Sequence, residues 1–328
     1  MTNIDRAAEI IARATRGAHT TDGHLIKMSD HTAQIIAEPG TPEWSRTISA
    51  SKVGAIMGAS IYDSPTSIWH QLAGLVERDV SPPSEAQFRG TMMEPYVLAY
   101  AWQRRHPDWT QHAGETTWTR DDLSFPAAAN TDSHGVKDDG APVIVEAKTV
   151  GYNSPLDEWG EEGTDQIPLG YWWQLYFQML MSGIHEARIE RCGPSVDEHK
   201  EYVVRYDPTI GAALQQRLAD FYTSILAGIP PKADGHEATV VTYKRAVVEV
   251  DDTEWEIAPD LARDLDRARA DEEDAAARKR EATARILQAM GTARFATVDG
   301  ERRFRRQKSG KGVALYPVKR DTAAKTAA

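Results

Sequence analysis

Two carboxylates and an ammonium stand in a suggestive pattern: Asp132, then Glu146 and Lys148 at the end of the apolar run Val143-Ile144-Val145. Side chains alternate along a strand, so Glu146 and Lys148 project to one face. Val143, Val145 and Ala147 project to the other, where they can pack on a core. Lys137-Asp138-Asp139-Gly140-Ala141-Pro142 is rich in turn residues and predicts a hairpin that returns Asp132 to Glu146. The three charged groups then share one small volume. Such a cluster suits a hard cation such as Mg2+, which takes carboxylate oxygens and keeps several waters. The chemistry it suits is phosphodiester hydrolysis, where a metal activates water and stabilises the leaving oxygen. On spacing alone, Glu-x-Lys also fits two solvated surface charges, and Asp132 also fits an ordinary turn residue.

The elements that would position these groups follow from local patterns. Ser49 or Ser51 caps a helix running to about Met57, and Ser64-Pro65 is a helix start with its cap and first-turn proline. Residues 84–105 read as a long helix bearing Glu94, although Pro95 fits only near a helix start. Strands are expected near Thr116–Trp118, Phe125–Ala129, Ser133–Val136 and Val143–Thr149. A helix with an aromatic face follows over Leu169–Ser182, then strands over Ala187–Arg191 and Glu201–Arg205, and a helix over Pro208–Ala227. Helices around a central mixed sheet make an α/β architecture.

Composition excludes several classes. No apolar run approaches the ~20 residues that span a bilayer, and the first residues hold no apolar signal core, so a cytoplasmic protein is expected. One cysteine, Cys192, rules out a disulfide framework, a cysteine-rich zinc site and a cysteine-ligated iron–sulfur cluster within one chain. The ten histidines show no zinc-protease spacing, and neither a nucleophile elbow nor a Walker loop is present. A net charge of −11 argues against a general nucleic-acid coat. It leaves room for an enzyme with a basic channel, and residues 301–328 carry nine Lys/Arg against two Asp/Glu.

Gly90-Thr91-Met92-Met93-Glu94-Pro95 lies upstream of the acidic hairpin, and Tyr171-Trp172-Trp173-Gln174-Leu175-Tyr176-Phe177-Gln178 lies downstream. Ile48-Ser49-Ala50-Ser51-Lys52-Val53 and Ser64-Pro65-Thr66-Ser67-Ile68-Trp69 precede both. The ordered set resembles the PD-(D/E)XK nuclease superfamily and, within it, the YqaJ-like viral recombinase (lambda-exonuclease) family, over residues 41–230. The resemblance implies a restriction-endonuclease-like core and a Mg2+-dependent deoxyribonuclease, with Mn2+ able to substitute. It implies metal ligation by Asp132, Glu146, the Ala147 carbonyl and Glu94, a water-orienting role for Lys148, and a supporting role for Gln174, with Gln178 one turn on. Ser51, with Ser49 and Arg46, would hold a 5′-terminal phosphate. A plain helix cap explains the serines equally well, and Arg46 lies at a different offset from the family arginine. Ser133-His134 stands where glycine is common in the family.

The activity implied is a 5′→3′ exonuclease on double-stranded DNA ends in phage or prophage recombination. It would work beside a single-strand annealing protein, in a ring-shaped homo-oligomer. An endonuclease or an exonuclease of other polarity remains open, as does an inactive DNA-end-binding or scaffold protein. Residues 1–40 read as a helix over 4–16 plus a polar segment. Gly228-Ile229-Pro230-Pro231 marks the end of the core, and 231–318 reads as an extension. That extension has a charged helix over 257–290 and a hairpin turning at Asp299-Gly300, whose Arg302, Arg303, Arg305 and Arg306 are placed to touch phosphates. Residues 319–328 read as a disordered tail.

Overall fold

The chain runs through a short strand β1 (Ile48–Ser49) directly into helix α1 (Ala50–Ile56), followed by α2 (Pro65–Leu72) and α3 (Glu85–Ala99). Ser64 and Ser84 start α2 and α3 as capping boxes. Each hydroxyl accepts from the backbone N–H three residues on, at Ser67 and Gln87, whose side chains accept from the cap residue's own N–H. α3 continues as π-helix through Tyr100–Arg105. Next come β2 (Thr110–Ala113), β3 (Thr116–Thr119), β4 (Ala127–Thr131), β5 (Ser133–Val136) and β6 (Pro142–Thr149). Then follow α4 (Leu169–Ser182), β7 (Glu186–Cys192), β8 (His199–Arg205), α5 (Pro208–Leu226) and α6 (Glu237–Ala246). This is a computed structural model, and it describes residues 3, 44, 46–77, 82–151, 156–195, 198–246 and 249–318. The helix expected over 4–16 and the tail 319–328 lie outside the described residues.

Five strands form one mixed sheet in the order β2–β5–β6–β7–β8, parallel only between β6 and β7. α4 makes the crossover that a parallel pair requires. A second sheet, β1–β4–β3, pairs Ser49 of β1 with Ala128 of β4. The chain leaves the second sheet and enters the first across one residue, Asp132, between Thr131 of β4 and Ser133 of β5. Helices against a central mixed sheet are the α/β architecture expected.

α4 is apolar on nearly all sides, and Trp172, Trp173, Leu175, Tyr176, Phe177 and Met179 are fully buried in the main core. Each such side chain contributes about 1.5–3 kcal/mol of burial. α1 crosses α4 where both are glycine: a Cβ on Gly54 would lie 3.0 Å from the Gly170 Cα. Both faces of β6 are interior. Ile144 joins the main core, while Val143 and Val145 pack with Ala101 and Trp102 in a second cluster. Glu146 is 1% exposed, which removes the reading of Glu-x-Lys as surface charges.

The structure departs from the sequence expectation in three places. Pro95 sits in the interior of α3, not near its start, so the helix runs on without the backbone donor that proline lacks. Strands β1 and β2 and helix α6 carry no local signal strong enough to predict them. The chain divides into compact units at Met1–Val250 and Asp251–Ala328, rather than at Pro230-Pro231. α6 accounts for the shift. Its Thr239 hydroxyl donates to Ser64 Oγ at 2.7 Å, and Tyr243 packs edge-on to His70 of α2.

The second unit holds α7 (Pro259–Met290) and an antiparallel sheet of β9 (Phe295–Val298), β10 (Glu301–Ser309) and β11 (Gly312–Pro317). Asp299 and Gly300, with φ of 52° and 82°, supply the two left-handed positions of the β9–β10 turn. No helix of the described residues is long and apolar enough to cross a membrane.

Candidate active site

β5 and β6 pair from Val136↔Pro142 to Ser133↔Val145. The ladder then stops, because the chain before Ser133 belongs to the other sheet. The next N–H on that edge of β6, from Ala147, donates to Asp132 Oδ2 at 2.9 Å instead. The N–H and C=O of one extended residue point to the same edge, so the Ala147 carbonyl also faces the Asp132 side. Asp132 is thus seated by the change of sheet, and its carboxylate replaces a strand carbonyl.

Glu146 is held from three directions. Its Oε1 accepts from Lys148 Nζ and Gln174 Nε2, each at 2.5 Å, and its Oε2 accepts from Gln178 Nε2 at 2.9 Å. Gln174 and Gln178 stand one turn apart on α4, so both amides reach the same face of β6. Gln178 Nε2 also donates to the Asn130 carbonyl at 2.7 Å, tying the end of β4 to Glu146. Lys148 Nζ lies 5.2 Å from the centroid of the Tyr171 ring, a second favourable surface for the cation.

The electrostatics show an excess of negative charge. Burial, and then Glu146 and Glu94, push the Asp132 carboxyl up to about 8, against the lowering pull of Lys148 and the Ala147 N–H. Glu94 is raised by burial first, then by Glu146 and Glu115. Lys148 is held above the ordinary lysine range. Burial acts to lower it, but Glu146 and Asp132 together outweigh that. Three carboxylates therefore act on one another around a single ammonium in a partly dry site.

Glu94 is brought into the field of this cluster but not into a ligand set with it. Among the described residues, no three His, Cys, Asp or Glu side chains are gathered closely enough to hold a metal. Glu94 stands on α3, across from the β6 end, and is half-exposed. Gly90, one turn earlier, lies over the end of β6, but a Cβ there would meet Thr149 Oγ1 at 3.7 Å, an ordinary contact, so the close approach does not require glycine.

Ser49 takes the N-cap position of α1, yet its hydroxyl makes no capping bond and lies 3.2 Å from Ser51 Oγ. Ser49 is buried and Ser51 exposed. The exposed Arg46 guanidinium lies beside Gly74, just past α2, where a Cβ would be 3.4 Å from Nη2. Sequence reasoning missed Tyr171 and Asn130. Asn130 contributes through its carbonyl, which no side-chain pattern encodes.

Residues 43–185 match the YqaJ-like viral recombinase domain, a stretch that contains Glu94, Asp132, Glu146, Lys148, Gln174 and Gln178. Among solved structures, the chain is similar to an alkaline exonuclease from Laribacter hongkongensis, at 17% identity and a TM-score of 0.43, covering 57% of this chain and 94% of that one. The same exonuclease in complex with dAMP gives 16% and 0.43, with 57% and 91% covered. A phage-related exonuclease from Haemophilus somnus gives 11% and 0.39, with 56% and 96% covered. No curated protein matches.

Proposed function

We propose, from the premise that residues 43–185 belong to the YqaJ-like viral recombinase domain family, that this chain is a Mg2+-dependent deoxyribonuclease. The reaction proposed is 5′→3′ exonucleolytic digestion of double-stranded DNA ends. One observation carries the reading: Asp132, Glu146 and Lys148 converge where β5 leaves β6, with Glu146 clamped by Gln174 and Gln178.

The donor set fits a hard dication. Asp132 and Glu146 would hold it with the Ala147 carbonyl, and Glu94 would stand outside as a further negative charge. Two carboxylates and a carbonyl suffice for an ion that keeps several waters, and positive charge would offset the burial and the Glu146 repulsion that raise Asp132. When bound, the ion supplies an activated water and neutralises charge on the phosphate. The remaining roles belong to the chain. Lys148 donates a hydrogen bond toward the attacking water and the developing negative charge. Gln174 and Gln178 hold the Glu146 carboxylate in one orientation, so no reorganisation is needed during the reaction. Ser51, Ser49 and Arg46 are proposed to receive the 5′-terminal phosphate, for which hydroxyls and a guanidinium are suited donors. A ring of copies and a single-strand annealing partner belong to the same proposal. Both follow from the family resemblance.

The test is digestion of a duplex labelled at one 5′ end, with and without Mg2+. Early release of labelled mononucleotide supports the reading. Shortening from the 3′ end favours the other polarity, and internal fragments an endonuclease. An uncut duplex that stays bound favours an end-binding protein. Digestion by Asp132→Ala at the wild-type rate rejects the site.

A further inference from the structure

The basic residues of the second unit lie outside the matched segment and play no part in the chemistry above. They are not scattered. From Arg294 to Val318 there are seven Lys/Arg against two Asp/Glu. Strand register sorts them. Arg305 of β10 is the direct partner of both Phe295 on β9 and Tyr316 on β11, and Arg302 is the partner of Thr297, two residues from Phe295. Directly paired residues share a face of the sheet. The irregularity between Arg302 and Phe304 inserts one residue, which keeps Arg302 on the face of Arg305. Phe295, Arg302, Arg305 and Tyr316 therefore stand together. The opposite face carries Phe304 and Leu315.

The guanidiniums on this face lie against the rings. Arg302 Cζ is 4.1 Å from the Phe295 centroid, and Arg305 Cζ is 5.9 Å from that of Tyr316. Arg302, Arg305 and Tyr316 are exposed. We propose that this face is a binding platform for single-stranded DNA. A planar guanidinium on a ring is a layer that a base can extend, and the same arginine can reach a phosphate. Single strands offer bases whose π-faces are free to stack, together with a backbone that the positive charge attracts. A duplex keeps its bases stacked inside and offers this sheet only phosphates, for which the rings would be idle. That the ligand is DNA rests on the nuclease reading. Digestion of either polarity leaves a single strand beside the enzyme.

Fluorescence anisotropy of a labelled oligo-dT with the full-length chain in EDTA reads binding without digestion. The expected result is tighter binding of oligo-dT than of a closed-end duplex of equal length. Tyr316→Leu should weaken oligo-dT binding about tenfold, as loss of one stacked base does, while Tyr316→Phe retains it. Arg302→Lys with Arg305→Lys keeps every charge and alters only exposed positions. It should weaken oligo-dT severalfold and leave the duplex unchanged. This pair decides the matter if Tyr316→Leu melts early by circular dichroism. Equal binding of duplex and single strand, or unchanged oligo-dT affinity in the double lysine variant, overturns the platform. A wild-type chain that binds oligo-dT here but does not cut DNA in Mg2+ rejects the nuclease reading and keeps the platform. The reverse result separates them the other way.

Discussion

The end of β6 and the face of β10 both set cations against aromatic rings, in opposite ways. At β6 the charges converge from one strand, the β4–β5 junction and a helix, are half-buried or buried, and include acids in excess. Glu146 is 1% exposed, and both its oxygens are engaged. On β10, like charges are spaced along one strand and stay in solvent, with Arg302 and Arg305 exposed over Phe295 and Tyr316. Burial makes a charge respond strongly to its neighbours, so the first arrangement can shift a proton or polarise a bond at one point. Exposure lets salt screen each charge, so the second can only sum weak contacts over a length. The first suits chemistry and the second binding.

The largest effect that would break this contrast lies at Asp132 and Glu146. Asp132→Ala and Glu146→Gln should each lower cleavage in Mg2+ on the order of 10³-fold or more. The melting temperature should stay nearly unchanged in Asp132→Ala and fall in Glu146→Gln, where an amide NH2 replaces a buried oxygen that accepts hydrogen bonds and Lys148 loses its charged partner. Initial rates on a labelled duplex, set beside calorimetric melting, check it. Lys148→Ala should cost about 10²–10³-fold in rate while Mg2+ still binds by calorimetry. A Lys148→Ala chain that cuts normally would return this lysine to a purely structural role.

Next come the glutamines. Gln178→Leu removes a donor shared by Glu146 and the Asn130 carbonyl, and should cost about 10–100-fold in activity. It should also cost about 1–3 kcal/mol in stability, because two buried acceptors lose a partner. Gln174→Leu should lower activity similarly with a smaller loss of stability, since that side chain is half-exposed and donates only to Glu146. Denaturant titration separates the two.

The pH dependence is of comparable size. Asp132 has its carboxyl raised from 3.8 to about 8 in the folded chain. The folded state therefore holds a proton that the unfolded state has lost. In metal-free protein this group makes stability fall as pH rises from 3.8 through about 8. A metal must displace that proton, so apparent Mg2+ affinity should rise by up to about tenfold per pH unit and level off above about 8. Asp132→Asn should lose the slope. Calorimetry in buffers of different ionisation enthalpy measures the proton released.

The smallest effect concerns the ends of the substrate. A 5′-phosphorylated duplex should be cut faster than a 5′-hydroxyl one, and Arg46→Ala should reduce that preference about tenfold or more, the value of one charge-assisted contact. Equal rates on both ends in the wild type would remove Ser49, Ser51 and Arg46 from phosphate recognition. The arginines of β10 should leave this preference untouched.

Local chemistry was enough for the parts whose partners are near in the chain. Ser64-Pro65 and its capping box, the Leu169–Ser182 helix, the Ser133–Val136 strand, and the turns at Gly140 and Asp299-Gly300 could all be read from neighbouring residues. So could the placing of Glu146 and Lys148 on one face and the return of Asp132, because strand alternation and a short loop leave little choice. The tertiary structure decided what depends on distant pairing. β1 is two residues long and exists only because β4 lies beside it, and β2 only because β5 does. α6 belongs to the first unit because Thr239 meets Ser64, a contact across a separation of 175 residues. The two-way grip of Gln178 needs the Asn130 carbonyl, and the seat of Asp132 needs a change of sheet. Backbone acceptors and strand neighbours carry no side-chain signature, so residue types announce the charged groups while only the packed sheets determine how each is held.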